Sequence, residues 1–398
     1  MSIAIAARSK EPPLEPIPYS CQQIDAEDIA AVSNALKGDF LTQGPTGPAF
    51  EEAFAAHHNV AHAIAVSNAT AALHIGCLAL GVGPESHVWT SPISFVASAN
   101  CAVMCGAKVD FVDIDPASRN MSIAALSEKL EQAERNGTLP DVLIPVHFAG
   151  YACDLLEMRA LADRYGFRIL ADASHATGAS YRGEPVGSQY ADATVFSFHA
   201  VKIITSGEGG MVVTQDDALA QRLRLLRSHG VTRDPALMSG KAQDPWAYEQ
   251  IELGFNYRLT DLQAALGHTQ LGRLDEWRNR RESLAARYDA LLADGPFGLP
   301  ARSRDRRSSW HLYAIELGAG LKIKRREIFD AMRAASIGVN VHYIPIHTQP
   351  FYAQRDFAYG DFPAAEAYYA RALTLPLFPA MAEGQQDRIV QTLLRLVR

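Results

Sequence analysis

Seven short apolar runs alternate with helix-like segments between residues 61 and 215, and this alternation restricts the chain to few architectures. The runs are AHAIAVS (61–67), HVWTS (87–91), KVDFVDI (108–114), DVLIPVHF (141–148), FRILADA (167–173), ATVFSF (193–198) and GMVVTQ (210–215). Many of them are apolar at successive rather than alternate positions, the pattern of strands covered on both faces in a parallel sheet. The segments between them carry helical signals. Thr70 is placed to open TAALHIGCLALG, which Gly81 can close; Ser122 is placed to open SIAALSEKLEQAERNG, which Gly137 can close. Strand–helix alternation of this length predicts an α/β fold around one large, mostly parallel sheet.

Beyond that region, residues 260–294 read as one long helix. A strand at 310–317, a helix at 324–338, a strand at 339–345 and a final helix from about 383 follow, the order of a smaller α+β unit. The expected organisation is a Pro-rich irregular arm over 1–18, a large α/β domain over 19–270 and a small α+β domain over 271–398.

Several function classes are disfavoured at this stage. With 398 residues, 48% of them hydrophobic, the chain can bury a large core without disulfides or a structural metal. Its net charge of −7, with no basic block, argues against a nucleic-acid partner. Cys21, Cys77, Cys101, Cys105 and Cys153 sit in apolar sequence and lack a second ligand pair at zinc spacing, so reduced thiols and no metal are expected. The N-terminal apolar run is too short for a signal peptide, and no stretch approaches the roughly 18 apolar residues of a membrane span. A cytoplasmic protein with no membrane partner is the expectation.

Four features fall at strand ends, where an open α/β sheet places its ligand. In SNATAALHIG (67–76), small residues Asn68, Ala69 and Thr70 start a helix, so backbone N–H groups and the helix dipole could face an anion there; a plain N-cap is the alternative. Asp172 closes an apolar strand, where a carboxylate needs a cation or hydrogen-bond donors. His175 follows three residues later. In SFHAVKIITSGEGG (197–210), Lys202 lies among Val201, Ile203 and Ile204, where its amine either snorkels to water or is held desolvated as a nucleophile for Schiff-base chemistry. Phe95, in TSPISFVASAN (90–100), opens a helix after a strand; it is either core or a platform for a planar ring. An anion cradle, a carboxylate, a buried amine and a flat aromatic are together the parts that pyridoxal 5'-phosphate (PLP) requires.

On these blocks, and on FLTQGP (40–45), FVDID (111–115), VHFAG (146–150), RSHGVTRD (227–234), GFNYRLTDLQAALG (254–267) and VHYIPIHTQPFY (341–352), the chain resembles the DegT/DnrJ/StrS sugar aminotransferases. These are a branch of the fold-type I, aspartate aminotransferase-like PLP enzymes. The resemblance implies that Lys202 carries the cofactor and moves the reacting proton. It implies that Asp172 partners the ring nitrogen, His175 lies near the ring hydroxyl and Phe95 stacks on the ring. By the same resemblance Ala69, Thr70 and Ser197 contact the phosphate, and Asn256 reaches it from a second subunit, which implies a homodimer with shared sites. Tyr19, Leu41, Thr42, Gln43, His342 and Tyr343 correspond to positions that touch a nucleotide sugar, with Asn256 among them. The usual His-Pro-x-Lys reads His199-Ala200-Val201-Lys202 here, without the rigid proline, and the common Ser-Gly-Thr turn reads Asn68-Ala69-Thr70.

Within the family, FLTQGP, the 91–115 region and HYIPIHTQPFY are most similar to members acting in pseudaminic acid biosynthesis. That likeness implies a UDP-linked 4-keto-6-deoxy sugar as amino acceptor and L-glutamate as donor. Because the chain is acidic, local donors must hold the diphosphate, and Arg227 and Arg258 are candidates. An aminotransferase for another UDP- or dTDP-linked 4-keto sugar shares the same motifs, as does a PLP-binding regulator without turnover.

Overall fold

The computed structural model describes residues 15–240 and 244–397. All seven expected strands are present: β1 (His62–Val66), β2 (His87–Thr90), β3 (Lys108–Phe111), β4 (Val142–Ile144), β5 (Arg168–Asp172), β6 (Ala193–Ser197) and β7 (Gly210–Thr214). They form one sheet in the order β1-β7-β6-β5-β4-β2-β3. The five strands from β6 to β3 run parallel, and β7 is antiparallel to both β6 and β1. Helices cover both faces. Along β6, Ala193 and Val195 join a core with Ile64, Leu73, Leu170 and Val212, whereas Phe196 joins the opposite core with Phe50, Phe54, Trp89 and Leu143. Two buried faces are the reason these strands read as continuous apolar runs.

The helices before and around the sheet are α1 (Ala26–Lys37), α2 (Thr46–His58), α3 (Ala69–Ala79), α4 (Ala97–Met104), α5 (Ile123–Asn136), α6 (Leu155–Tyr165) and α7 (Asp217–Arg227). Ser122 caps α5 by accepting from the Ala125 N–H, and Gly137 ends it in the left-handed region at φ 67°. At α3 the cap lies two residues before the expected Thr70. Asn68, in extended backbone, accepts from the Ala71 N–H, so the Thr70 hydroxyl is left for other partners.

Residues 260–294 are two helices rather than one. α8 (Asp261–Leu271) is opened by a Thr260–Gln263 capping box, and α9 (Leu274–Leu292) begins after Arg273 leaves helical geometry at φ −107°, ψ 5°. Gly272 weakens the helix at that point, and acidic Asp275 and Glu276 favour a new N-terminus. The Arg273 guanidinium is drawn into an ion pair with Asp25 and Asp28 of α1; buried Asp28 also accepts from Thr269 Oγ1 and Gln270 Nε2 at 2.7 Å.

Beyond α9 lies a second, three-stranded antiparallel sheet of β8 (Phe297–Gly298), β9 (Tyr313–Leu317) and β10 (Ala372–Leu375). It packs with α10 (Arg325–Ala334), α11 (Pro363–Arg371) and α12 (Glu383–Val397). Leu284, Tyr288, Ile315, Met332, Leu373 and Leu393 share its core. The strand expected at 339–345 does not form. Only Asn340 pairs, with Thr374, while His342 and Tyr343 turn toward partners elsewhere and Pro345 offers no N–H for a ladder. The N-terminal arm over 1–14 lies outside the described residues, and Ile17 is buried and bridged to Ile337 rather than irregular. Among the described residues no helix is long and apolar enough to cross a membrane, and no cluster of metal-ligating side chains is found.

One close approach shapes the sheet's ligand edge. A Cβ on Gly210 would lie 2.6 Å from the Asn68 carbonyl carbon and 2.8 Å from the Ala69 nitrogen, both backbone atoms. Gly210→Ala is therefore expected to push β7 away from the start of α3 and to destabilise the fold by about 1–3 kcal/mol. Urea unfolding should show this as a lowered midpoint with an unchanged slope.

Candidate active site

At the carboxyl ends of the parallel strands lies a cavity of about 670 Å³. Tyr19, Ala69, Thr70, Phe95, Asp172, His175, Ser197, Lys202, His342 and Tyr343 all line it, although they come from six separate segments. Ala69 and Thr70 occupy the first turn of α3, whose orphan N–H groups and dipole face incoming negative charge. Ser197 ends β6 beside Gly210. These three suit an anion through backbone and hydroxyl donors, with no cationic side chain of their own.

Asp172 is buried at the end of β5. Its Oδ1 accepts the Ser174 N–H at 2.9 Å and its Oδ2 accepts the Ser98 hydroxyl at 2.7 Å. Two donors hold the carboxylate in one orientation and still leave lone pairs for a third partner. Phe95 is 59% exposed and lines the cavity, so it is not part of the core; α4 begins two residues later, at Ala97.

Lys202 sits in a loop between β6 and β7 that holds its shape without a proline. Its own N–H donates to His199 O at 2.9 Å, Ser206 N and Thr205 Oγ1 both donate to Phe198 O, and Phe198 N donates to Gly209 O. Burial disfavours the charged amine and lowers its pKa to about 8, against a smaller opposing pull from Asp172. His175 Nδ1 accepts the Ala149 N–H at 3.3 Å, and its Nε2 lies 3.1 Å from the Tyr343 hydroxyl. Burial, with Lys202 and His342 as like-signed neighbours, holds His175 neutral, well below its usual range. His342 is lowered to about 3, mainly by burial, and its Nδ1 lies 2.8 Å from Thr374 Oγ1.

The remaining expected residues are elsewhere. Leu41, Thr42, Gln43 and Asn256 do not line this cavity. Leu41 O accepts the Asp261 N–H, Thr42 bridges Thr260, and Asn256 bridges Ser228 on an exposed surface. Arg227 is corrected to a structural role, since its Nη1 pairs with Glu51 and donates to Ala65 O; Arg258 is also away from the cavity.

Sequence reasoning missed His311, Ser94, Ser98, Ser174 and Glu208, which the fold brings to the cavity or to Asp172. Ser98 was within reach of inference, three residues after Phe95 in the same block. His311 was not, because it arrives from the far side of α9 with no local motif.

The residues present fit PLP. A cradle of backbone donors suits a phosphate, the Asp172 carboxylate, held by two hydrogen bonds, suits a ring nitrogen, and an amine of lowered pKa and an exposed aromatic ring line the same cavity.

Comparison with known proteins gives the same answer. Residues 22–394 match the DegT/DnrJ/EryC1/StrS aminotransferase family. The chain is 39% identical over 390 residues to the spore coat polysaccharide biosynthesis protein SpsC of Bacillus subtilis, covering 96% of this chain and 97% of that one. Helicobacter pylori PseC, an aminotransferase of pseudaminic acid biosynthesis, superposes with a TM-score of 0.88 at 31% identity, covering 96% and 99% of the two chains. The PLP form of the sugar aminotransferase Spr1654 from Streptococcus pneumoniae superposes at 0.86 with 27% identity, over 96% and 99%. The sheet order, the cavity and these matches agree: this chain has the fold-type I architecture and belongs to the DegT/DnrJ/EryC1/StrS family of PLP-dependent sugar aminotransferases.

Proposed function

We propose that the protein transfers the amino group of L-glutamate to C4 of UDP-2-acetamido-2,6-dideoxy-β-L-arabino-hex-4-ulose. The product is UDP-4-amino-4,6-dideoxy-N-acetyl-β-L-altrosamine, and the other product is 2-oxoglutarate. The carrying observation is the cavity that gathers Lys202, Asp172, Phe95 and the α3 N-terminus with Tyr19, His342 and Tyr343 at one strand edge. The likeness to PseC over 96% of the chain supports the choice of sugar.

When bound, PLP supplies an electron sink next to the carbon that loses its proton. The chain's residues do the rest. First-turn N–H groups of Ala69 and Thr70, with the Ser197 hydroxyl, hold the phosphate. Asp172 would pair with the ring nitrogen and keep it protonated, and Phe95 would offer its flat face to the ring. Lys202 Nζ, uncharged above about pH 8, would be the amine that holds the cofactor. As a free amine, Nζ would take the donor's α-proton and later return a proton to C4 of the sugar. Tyr19, His342 and Tyr343 face the sugar.

Residues 19–270 serve as the PLP-binding domain and 271–398 as the small domain in this reading. Leu41, Thr42, Gln43 and Asn256 act in a neighbouring copy's site, which makes the working unit a homodimer. Exposed Phe40, Leu41, Trp246 and Leu253 supply apolar surface for that contact.

The test is the visible spectrum of the PLP-loaded protein. Glutamate is expected to bleach the long-wavelength band, and the L-arabino 4-keto sugar to restore it. Bleaching followed by recovery only with a dTDP- or D-configured 4-keto sugar would replace the acceptor proposed here.

A further inference from the structure

His311 is the cavity residue that none of the motifs announces. It belongs to the segment before β9, yet its Nε2 lies 3.5 Å from Lys202 Nζ and its ring centre 4.5 Å from that of His175. The segment that delivers it is pinned at every step. Ser309 N donates to Gly150 O at 3.1 Å, Ser309 Oγ to His175 O at 2.7 Å, and Trp310 N to Ser308 Oγ at 3.0 Å. Buried Arg281 of α9 donates to Trp310 O at 3.1 Å and also to Leu377 O at 3.0 Å, and Trp310 Nε1 donates to Glu282. Gly150 is required for this approach: at φ 95°, a Cβ there would lie 2.2 Å from Ser309 Oγ and 2.9 Å from His175 O. So much fixation of one backbone stretch places one imidazole against one amine.

We propose that His311 is a positioning residue: a neutral imidazole whose Nε2 accepts an N–H from Lys202 and aims the free amine into the cavity. The inference rests on the reading of Lys202 as the cofactor-bearing lysine. Burial first, then Lys202, His175, Arg281 and His342, hold the His311 imidazole well below its usual pKa, so it is an acceptor near neutral pH. With Nε2 accepting, the proton sits on Nδ1, which is buried and has no hydrogen-bond partner among the described residues. The charged groups acting on the pair are Asp172, His175, His342 and Arg281, and Tyr19, His199, Glu208 and Tyr343 share the cavity. Of the two acidic residues, Asp172 is already engaged by Ser98 and Ser174, and Glu208 lies 3.9 Å from His199. Distances near 3.5 Å before ligand binding are usual for groups that tighten in the working complex.

The test uses cofactor-free protein and reads the rate at which it captures PLP, followed at the visible band from pH 6 to 10, in the parent and in His311→Phe, His311→Leu and His311→Gln. In the apolar variants the plateau rate at high pH is expected to fall at least tenfold, because the amine is no longer aimed. The midpoint of the profile is expected to move at least half a unit to lower pH, because the ammonium form loses its acceptor. His311→Gln, with an amide oxygen as acceptor, should restore most of both. A folded apolar variant with the parent's plateau and midpoint overturns the proposal. So does failure of both apolar variants to fold, which would make the imidazole a structural staple. Absence of a band in the parent itself would instead overturn the PLP reading of the site.

Discussion

Replacing Lys202 by Ala is expected to abolish turnover and leave a folded, cofactor-binding protein that forms no covalent bond to PLP. Loss of the proton carrier alone accounts for roughly 10²–10⁴-fold, and loss of the attachment point removes the first step as well. Borohydride treatment followed by mass spectrometry of the tryptic peptide should find the pyridoxyl group on Lys202 in the parent and nowhere in the variant. Turnover by Lys202→Ala at a tenth of the parental rate would end the assignment.

The same amine has a stability signature of opposite sign. In the cofactor-free fold its pKa is lowered from 10.5 to about 8, so between those values the unfolded chain binds more protons than the folded one. Stability therefore rises with pH across that window, and below pH 8 the buried ammonium carries the full penalty. At 1.36 kcal/mol per pKa unit, and reduced by water in the cavity, the penalty is on the order of 2–3 kcal/mol. Lys202→Met should melt above the parent at pH 7, with the gap closing as pH rises from 8 toward 10.5. A gap independent of pH would mean the amine is not desolvated.

Asp172→Asn is expected to lower kcat by roughly 10²–10³-fold, the scale of removing one pre-organised charge from a transition state. The amide keeps the volume and one acceptor, so the variant should fold. It cannot remain an anion opposite a protonated ring nitrogen. It also turns an N–H₂ toward either the Ser98 hydroxyl or the Ser174 N–H, both of which now donate to the carboxylate. Binding of PLP should weaken far less than kcat, because the cradle at α3 and the Lys202 amine are untouched. Parental activity in this variant would remove Asp172 from the ring nitrogen.

Much of the large sheet was legible because each strand is buried on both faces and so writes its position as an uninterrupted apolar run. The loops that carry chemistry were legible for a related reason. A charged residue placed directly after such a run, as Asp172 after FRILA, or inside one, as Lys202, stands where solvent cannot reach it without a purpose. The misreadings share a cause too. Residues 260–294 keep helical periodicity across Gly272, and the ion pair of Arg273 with Asp25 and Asp28, more than 240 positions away in sequence, fixes the point at which the helix restarts. The segment 339–345 has strand composition, yet its side chains find partners on Thr374 and His175 instead of a ladder.

By itself, then, the amino-acid sequence determined the α/β class, the strands of the large sheet, the ends of α5 and many of the residues that meet at the strand ends, because burial and capping are local pressures that leave local marks. Tertiary structure alone decided which distant groups complete the site. His311 reaches Lys202 across 109 positions through a backbone held by Gly150, His175 and Arg281. Ser98 reaches Asp172 across 74. Such contacts are made by side chains whose own neighbourhoods are unremarkable, and their chemistry exists only once the sheet and the second core have brought them within hydrogen-bond distance.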